Sequence, residues 1–301
     1  MKAVIFNGNS INPGDVSWEP VTSLADTVIY PDTADDERIE RARGFDGILT
    51  DRTGIDRNTM ENLPDLKFIL KLATGYDNID LKCAQELGIR VFNIPAYSTD
   101  AVAQHAMALI LEIACALPEN HSRAAVTAPA GYGLEQGYAP SFLLSGKSLG
   151  IAGYGNIGKK TAQLAEAFGM EINIYSRDRE KCIKSDILSL HMPLTEETYH
   201  MIDREFISEM KDGAVIINTA RGALIDEYAL ADALKSGKIA AAGIDVLENE
   251  PAFSSPLRSA PNVNITPHIA FAARETRQKL IDIAGDVIKG YMEGKEINRI
   301  I

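Results

Sequence analysis

The stretch Ser148-Leu149-Gly150-Ile151-Ala152-Gly153-Tyr154-Gly155-Asn156-Ile157-Gly158 decides the fold of this 301-residue chain. Its opening apolar run predicts a strand, and residues 159–168 have the spacing of a helix. A GxGxxG sequence between a strand and a helix is typical of a phosphate-binding turn, because its glycines allow a tight bend and close approach of a pyrophosphate. A glycine-rich turn without ligand is the alternative. The residues predicted to hold a dinucleotide here are Gly153, Gly155, Asn156, Ile157 and Gly158.

Short apolar runs alternate with helix-like segments on both sides of this turn. That alternation is typical of βαβ units and predicts parallel sheets in an α/β protein. Between two series of strands lie a long helix from about Thr99 and a loop over 118–140 rich in Gly, Ala, Pro and Tyr. Residues 273–291 carry apolar residues at helical spacing and predict a final helix. The predicted strands are 3–6, 27–30, 47–50, 68–72 and 90–93, then 148–152, 171–175, 187–190, 214–218, 240–244 and 263–266.

The end of the second strand after the glycine turn indicates which dinucleotide would bind. An acidic residue is expected at that position for the ribose diol of NAD. This chain instead carries Ser176 and Arg177, and the planar guanidinium of Arg177 suits a 2′-phosphate. We therefore expect NADP(H). The neighbouring Asp178 keeps NAD(H) open, and a solvated surface side chain is the alternative for Arg177.

Polar side chains follow three of the later predicted strands at the point where each strand ends. Arg221 follows one strand, Asp245 the next and His268 the third, with Glu250 shortly after Asp245. Ligands of doubly wound sheets bind at this end of the strands. A guanidinium can hold a carboxylate, and a histidine beside a carboxylate can exchange a proton, so the set suits oxidation of an alcohol next to a carboxylate. A surface arginine, a capping aspartate and a core histidine are the alternatives.

The composition argues against several other classes of protein. Asp and Glu number 42 against 30 Lys and Arg, and the net charge of −12 opposes binding to nucleic acid or to an anionic membrane surface. The 3 cysteines lack CxxC spacing, so neither a disulfide framework nor a metal site is predicted. We find no secretory-signal pattern at the start, and the longest apolar segment, 101–117, is too short and too polar for a membrane span. A cytoplasmic protein is expected.

The chain resembles the D-isomer-specific 2-hydroxyacid dehydrogenase family over nearly its whole length. Together with the glycine turn, a series of short motifs carries this resemblance, and in combination they are highly specific. The motifs are ATGYDNID at 73–80, NIPAYST at 93–99, SLHMPLT at 189–195, NTARG at 218–222, GIDV at 243–246, ENEP at 248–251 and TPHIA at 266–270.

The resemblance implies a role for most of the candidate residues. Arg221 would anchor the substrate carboxylate, and Glu250 and His268 would form the acid–base pair. The amides of Thr74 and Gly75 would bind substrate, together with Arg221 and His268. Asp245 would lie near the nicotinamide carboxamide. The other residues implied in cofactor binding are His191, Pro193, Thr198, Thr219 and Ala220.

The resemblance also implies the domain organisation. A Rossmann dinucleotide-binding domain over residues 99–270 would be inserted in a flavodoxin-like substrate-binding domain made of residues 1–98 and 271–301. The long helix after Thr99 would help to form a homodimer. His105, inside that helix, is therefore expected to lie in an interface or in the core rather than to take part in catalysis.

One segment departs from the family pattern. Only residues 177–184 separate Ser176 from the Ser-Asp pair that opens the SLHMPLT strand, where the family carries a further strand and helix. A βαβ crossover needs about 10 to 12 residues at least. The nucleotide sheet is therefore expected to lack an edge strand, and the adenosine side of the cofactor to be held more weakly.

The function implied is hydride transfer between NAD(P) and a 2-hydroxy or 2-oxo acid of D configuration, with hydroxypyruvate or glyoxylate favoured. Arg52, after a strand of the first domain, is expected either to reach the distal group of the substrate or to be a surface loop residue. A phosphoglycerate dehydrogenase-type enzyme is one alternative. A dinucleotide-sensing or degenerate binding protein is the other, and the shortened segment favours it.

Overall fold

The computed structural model describes residues 1–126 and 139–301, and these form two compact units. The first unit is Met1–Ser98 together with Phe271–Ile301, and the second is Thr99–Ala270. Each unit is built on one sheet in which every pair of neighbouring strands is parallel. The predicted α/β class with two parallel sheets is confirmed.

The first unit has a five-stranded sheet. Its strands are β1 (Lys2–Phe6), β2 (Asp26–Ile29), β3 (Gly47–Thr50), β4 (Phe68–Lys71) and β5 (Arg90–Phe92). They pair in the order β2-β1-β3-β4-β5, which is the flavodoxin-like order. The helices are α1 (Gly8–Ile11), α2 (Glu19–Thr22), α3 (Arg38–Ala42), α4 (Arg57–Glu61), α5 (Leu81–Leu87) and, from the C-terminal segment, α12 (Arg274–Met292).

Both faces of this sheet are buried, and alternate residues of a strand reach opposite faces. Ile5 belongs to a cluster that includes Leu280 of α12. Its neighbour Phe6 belongs to a second cluster, with Met60 of α4 and Cys83 of α5. Burial on both faces explains why the inner strands β1, β3 and β4 read as nearly continuous apolar runs, whereas the edge strand β2 is partly exposed.

The second unit has a six-stranded sheet. Its strands are β6 (Ser148–Ala152), β7 (Glu171–Ile174), β8 (Ile187–Leu190), β9 (Ala214–Asn218), β10 (Ile239–Ile244) and β11 (Val263–Ile265). They pair in the order β11-β10-β9-β8-β6-β7. The helices are α6 (Thr99–Cys115), α7 (Leu117–Val126), α8 (Asn156–Ala167), α9 (Arg179–Ile183), α10 (Arg204–Glu209) and α11 (Glu227–Ser236).

This sheet lacks the third strand of the Rossmann order 3-2-1-4-5-6 within the residues described. Strand β7 occupies the second position and forms the edge, where it pairs with β6. The crossover from β7 back to β8 contains only the short helix α9, which Asp178 caps by accepting a hydrogen bond from the Lys181 amide. The predicted loss of an edge strand is confirmed.

Two predicted helix boundaries were wrong. The predicted loop over 118–140 begins instead with α7, where Pro118 stands in the first turn, a position that needs no amide donor. An ion pair between Glu119 and Arg123, one turn apart, supports that helix. The rest of the predicted loop, 127–138, lies outside the described residues. Helix α8 begins at Asn156 rather than at 159, because Gly155 is its N-cap.

Neither a single membrane-spanning helix nor a metal-binding cluster occurs within residues 1–126 and 139–301. No single helix in them is long and apolar enough to cross a membrane. Thr99–Cys115 and Leu117–Ala125 pass that test of length and composition as a pair, but the two helices are bent by 49°. No group of three or more His, Cys, Asp or Glu side chains in those ranges could hold a metal ion.

Asp186 links the starts of the neighbouring strands β6 and β8 in the second unit. Its carboxylate accepts hydrogen bonds from the amide and the hydroxyl of Ser148, both at 2.9 Å, and from Nζ of Lys211 at 2.7 Å. Burial alone would raise the pKa of Asp186, but these donors outweigh burial and lower the pKa to about 2. The ionised carboxylate therefore stabilises the folded protein.

Asp186→Asn is expected to destabilise the protein at pH 7 by about 1–2 kcal/mol, since one pKa unit corresponds to about 1.4 kcal/mol and the group is partly solvated. The folded pKa lies below the unfolded one, so the stabilisation is complete above the ordinary aspartate pKa and is lost as the pH falls toward 2. Urea unfolding at pH 7 and pH 3 measures this. The difference should shrink at pH 3, and a growing one would contradict the argument. Asp212→Asn, in an exposed pair with Lys238, is the control and should have a smaller effect.

Candidate active site

The glycine turn between β6 and α8 leaves no room for side chains on its protein side. Gly153 has φ +102°, and a Cβ there would lie 2.5 Å from the carbonyl carbon of His191. A Cβ on Gly158 would lie 2.1 Å from the carbonyl oxygen of Gly153. Gly155 faces open space, with nothing within 4 Å of an added Cβ. The open side at Gly155 is where a pyrophosphate can approach the backbone closely.

The amino terminus of α8 adds an electrostatic reason for an anion to bind beside this turn. Helix α8 begins directly at Asn156, and Gly155 provides no side-chain cap for its first amides. Free amides at a helix amino terminus attract phosphate. The turn and the helix therefore fit the pyrophosphate of a dinucleotide.

Arg177, at the carboxyl end of β7, lies against a tyrosine of the glycine turn. Its guanidinium carbon is 5.2 Å from the ring centroid of Tyr154, and Nζ of Lys159 is 5.9 Å from the same centroid. Ser176 and Arg177 are exposed, whereas Asp178 is engaged as the cap of α9. Arg177 and Lys159 thus place two positive charges beside Tyr154. This is near the end of β7, where the ribose of a dinucleotide is expected.

His191 follows β8 and lies directly behind the glycine turn. Its amide donates to the carbonyl of Ala152 at 2.7 Å, and its Nε2 is 2.9 Å from the hydroxyl of Ser189. Although part of the residue's surface is exposed, the protein enclosing the ring lowers the pKa of His191 to about 4. The imidazole is therefore neutral near pH 7. Further along, the hydroxyl of Thr198 donates to the carbonyl of Pro193 at 2.8 Å and closes that loop.

Arg221 stands in a turn that Asn218, the last residue of β9, holds in place. The Asn218 side chain donates to the carbonyl of Arg221 at 2.8 Å and accepts from the amide of Ala220 at 3.0 Å. Nη1 of Arg221 donates to the carbonyl of Ala220 at 2.8 Å. The hydroxyl of Thr219 is buried and has no hydrogen-bond partner among the described residues. An orphaned hydroxyl at this position suits a polar ligand group.

The turn with Arg221 packs against the segment that carries Glu250. A Cβ on Gly222 would lie 2.0 Å from the carbonyl carbon of Leu247 and 2.3 Å from the amide nitrogen of Glu248. Only glycine allows this approach at position 222. Strands β9 and β10 also end in register, with Ile244 opposite Asn218. The backbone therefore fixes the position of Arg221 relative to the Glu250 segment.

Glu250 and His268 form a hydrogen-bonded pair. Oε2 of Glu250 is 2.7 Å from Nδ1 of His268, while Oε1 accepts from the amide of Leu247 at 2.9 Å. The exposed fractions of the two side chains are 34% and 39%. His268 has φ +55°, an uncommon conformation for a residue with a side chain. The bond at Nδ1 orients the ring relative to Glu250.

Asp245 is almost fully buried, with an exposed fraction of 1%, and binds the segment that carries His268. Its carboxylate accepts hydrogen bonds from the amides of Ile269 and Ala270, each at 2.9 Å, and from the hydroxyl of Thr266 at 2.5 Å. Its own carbonyl accepts from the amide of His268 at 2.8 Å. Thr266 was not among the predicted site residues, and only its place two residues before His268 could have indicated it.

The predicted substrate residues of the first unit follow two neighbouring strands. Arg52 comes after β3, and Thr74 and Gly75 come after β4, which pairs with β3. The Asn78 side chain donates to the carbonyl of Arg52 at 3.1 Å, and the Arg52 side chain has an exposed fraction of 56%. The Asn93 side chain donates to the carbonyl of Thr74 at 2.7 Å. These residues therefore share the carboxyl edge of the first sheet.

Comparison with known proteins establishes the family. The family described as D-isomer-specific 2-hydroxyacid dehydrogenase, NAD-binding domain, matches residues 107–270. The chain therefore belongs to the D-isomer-specific 2-hydroxyacid dehydrogenases, a family of oxidoreductases. The resemblance inferred from the sequence motifs is confirmed.

Individual relatives match along most of the chain. A hydroxypyruvate reductase of Blautia hydrogenotrophica is 38% identical, over 99% of this chain and 99% of the relative. A glyoxylate reductase of Thermococcus litoralis is 40% identical, over 85% of this chain and 83% of the relative. Among solved structures, D-lactate dehydrogenase of Aquifex aeolicus, in complex with NAD and lactic acid, has a TM-score of 0.86 at 28% identity and covers 99% of this chain and 98% of its own.

Proposed function

We propose that this protein transfers a hydride between NAD(P) and a 2-hydroxy or 2-oxo acid of D configuration, with hydroxypyruvate or glyoxylate as the favoured oxo acid. The observation that carries the proposal is the 2.7 Å hydrogen bond between Glu250 and His268, beside the turn with Arg221. The names of the two relatives, hydroxypyruvate reductase and glyoxylate reductase, support the choice of substrate.

The acid–base step belongs to His268 and Glu250. In the reductive direction, Nε2 of His268 gives a proton to the substrate's carbonyl oxygen while the carbonyl carbon accepts a hydride, so C=O becomes CH–OH. When bound, the nicotinamide supplies that hydride. Glu250 accepts from Nδ1, keeps the ring oriented and stabilises its protonated form. In the oxidative direction, His268 takes the hydroxyl proton back.

The substrate carboxylate is assigned to Arg221. A guanidinium can bind both carboxylate oxygens through parallel N–H donors, which fixes the adjacent carbon relative to His268. The amides of Thr74 and Gly75 and the side chain of Arg52 are proposed as further substrate contacts. Arg52 would meet the distal group of the substrate.

The cofactor is assigned to the glycine turn and to the strand ends next to it. Gly153, Gly155 and Gly158, with the amides of Asn156 and Ile157, would hold the pyrophosphate. Ser176 and Arg177 would meet the adenosine ribose. The residues proposed for the rest of the cofactor are His191, Pro193, Thr198, Thr219, Ala220 and Asp245; the orphaned hydroxyl of Thr219 supports its inclusion.

A substrate panel tests the proposed function. Initial rates of NADH and NADPH oxidation would be measured with hydroxypyruvate, glyoxylate, pyruvate, 2-oxoisocaproate and phosphohydroxypyruvate, with a His268→Ala preparation purified in parallel. Turnover of hydroxypyruvate or glyoxylate that the variant lacks is the expected result. A clear preference for phosphohydroxypyruvate would instead favour the phosphoglycerate dehydrogenase type.

A dinucleotide-sensing or degenerate binding protein is the second candidate function. The short crossover through α9 favours it, because the missing strand removes part of the wall expected beside the adenosine. Titration calorimetry with NADPH, combined with the substrate panel, separates the two. Dinucleotide binding without turnover of any acid in the panel would support the sensor, and a submicromolar Kd for NAD or NADP would count against a weakened adenosine site.

NADP(H) is the cofactor that we propose, and Arg177→Ala is expected to raise the KM for NADPH about tenfold or more while leaving the KM for NADH within about twofold. A hydrogen bond to a charged group contributes roughly 1.5–3 kcal/mol, and about 1.4 kcal/mol is a factor of ten. Arg179→Ala is the matched control, since Arg179 pairs with Glu209 of α10. A wild-type KM for NADH more than tenfold below that for NADPH would contradict the assignment.

We further propose a homodimer formed through α6. Its Leu111 and Ile113 are only partly buried, and Leu117, just beyond it, has an exposed fraction of 63%. Light scattering is expected to give twice the mass of one chain, and Leu117→Glu to shift that mass toward the monomer. An unchanged monomeric mass in the wild type would refute the proposal.

A cytoplasmic location is proposed as well. Cys83, Cys115 and Cys182 are all free thiols, and Cys83 and Cys182 are buried. Thiols that stay reduced are typical of the cytoplasm. Fractionation with an antibody against the protein would test this.

A further inference from the structure

A chain of three polar side chains connects α6 to the segment that carries His268. Nε2 of His105 is 2.9 Å from the hydroxyl oxygen of Thr266. That hydroxyl is 2.5 Å from Oδ1 of Asp245, and His105 itself lies 3.5 Å from the same oxygen. The three residues come from α6, from the end of β11 and from the end of β10, so the chain joins elements distant in sequence.

The chemistry of the three groups fixes the direction of these hydrogen bonds. A carboxylate oxygen only accepts, so the single proton of the Thr266 hydroxyl is donated to Asp245. The hydroxyl oxygen must then accept from His105, and Nε2 of His105 is the donor. The tautomer of His105 is thereby assigned, and a side chain without a donor at this position would leave the Thr266 hydroxyl less well oriented.

The segment held by this chain contains the proposed acid–base residue. Asp245 accepts from the amides of Ile269 and Ala270, which directly follow His268. His268 adopts φ +55°, a conformation that persists only when its surroundings impose it. The amides of His268, Ile269 and Ala270 all donate to Asp245, and the His268 amide also donates to the carbonyl of Thr266. The Asp245 carboxylate in turn bonds the hydroxyl of Thr266, which bonds His105.

We propose that His105 is a positioning residue: through Thr266 and Asp245 it holds the backbone at residues 266–270 in the conformation that aims His268 at the substrate. His105 touches neither substrate nor reacting atoms in this scheme. The kinetic part of the inference rests on the proposed function, whereas the part that concerns the backbone does not.

Two variants of His105 test the proposal. His105→Leu removes the donor, and His105→Gln retains an N–H that can reach Thr266. We expect His105→Leu to lower kcat about tenfold or more with KM for the oxo acid within about twofold, because small displacements of a catalytic group have large kinetic effects. His105→Gln should recover most of kcat. His121→Leu, an exposed histidine on α7, is the matched control.

Thr266→Val is an independent test, since it removes the hydroxyl between His105 and Asp245 while keeping the side chain's shape nearly constant. It should reproduce the kcat loss of His105→Leu, and the double variant should be no worse than either single one, as expected for residues in one network. Additive losses, or a Thr266→Val enzyme with wild-type kcat, would overturn the proposal. The Thr266→Val variant still tests the proposal if His105→Leu fails to fold.

Amide hydrogen exchange provides a readout that needs no substrate. In His105→Leu and Thr266→Val the amides of Ile269 and Ala270 should exchange about tenfold faster or more, a larger increase than at the amides of β6 in the same unit. Unchanged exchange at these two amides would overturn the proposal. If the wild type reduces no acid in the panel, the proposed function fails, whereas the exchange result still tests the role of His105.

Discussion

His268→Ala is expected to lower kcat for reduction of the oxo acid by about 10²–10⁴-fold, the range that a positioned general acid contributes. The side chain removed is the one whose Nδ1 is bonded to Glu250, at the end of a loop that Asp245 holds by three backbone amides. The remaining protein can still orient both reactants, so some turnover should remain.

Binding measurements and a second variant separate loss of chemistry from loss of structure. The Kd for NADPH should stay within about threefold in His268→Ala, because the glycine turn is untouched. Glu250→Gln should also lower kcat, and the His268→Ala/Glu250→Gln double variant should be no slower than His268→Ala alone, since Glu250 acts through the histidine. A His268→Ala enzyme with kcat within threefold of the wild type would contradict the assigned role.

Arg221→Ala is expected to raise the KM for hydroxypyruvate or glyoxylate by about a hundredfold or more, since a charged hydrogen-bonding partner of the carboxylate is lost. Arg221→Lys should recover little of this. A lysine ammonium cannot reproduce the planar pair of donors of the guanidinium. The turn built by Asn218 and Gly222 fixes the backbone of residue 221, so the backbone cannot shift to compensate.

The dependence on the substrate carboxylate makes this prediction specific. Glycolaldehyde lacks the carboxylate of glyoxylate, so its low rate should be nearly the same in the wild type and in Arg221→Ala. Arg204→Ala, at an exposed ion pair with Asp232 in the same unit, is the control for removal of an arginine. Equal losses with glyoxylate and with glycolaldehyde would show that Arg221 does not act on the carboxylate.

The buried strands were the most predictable part of the fold. The predicted bounds of β6, β8 and β9 agree with those in the structure, because these strands are interior to the sheet and covered on both faces. The missing strand could be predicted as well, because the number of residues between β7 and β8 can be counted in the sequence. Helix α7 could not, because its Pro118 is usual for a first turn but equally usual for a loop.

For the candidate site, the sequence indicated which residues stand at strand ends but not how they are held. The bond between His105 and Thr266 joins residues 161 positions apart and depends on how α6 packs against β10. The contact of Gly222 with the Glu248 backbone likewise depends on the register of β9 and β10. Periodicity and motif spacing describe each element by itself and do not contain such distances.

The position of β7 at the edge of its sheet also bears on aggregation. Among the described residues β7 pairs on one side with β6, so its other side presents backbone donors and acceptors that could template a strand from another molecule. The strand is only four residues long, and its first residue, Glu171, forms an ion pair with Lys181 of α9. A short edge flanked by charges resists strand addition. Substitutions that remove Glu171 and Lys181 together should therefore lower the protein concentration at which intermolecular sheet forms.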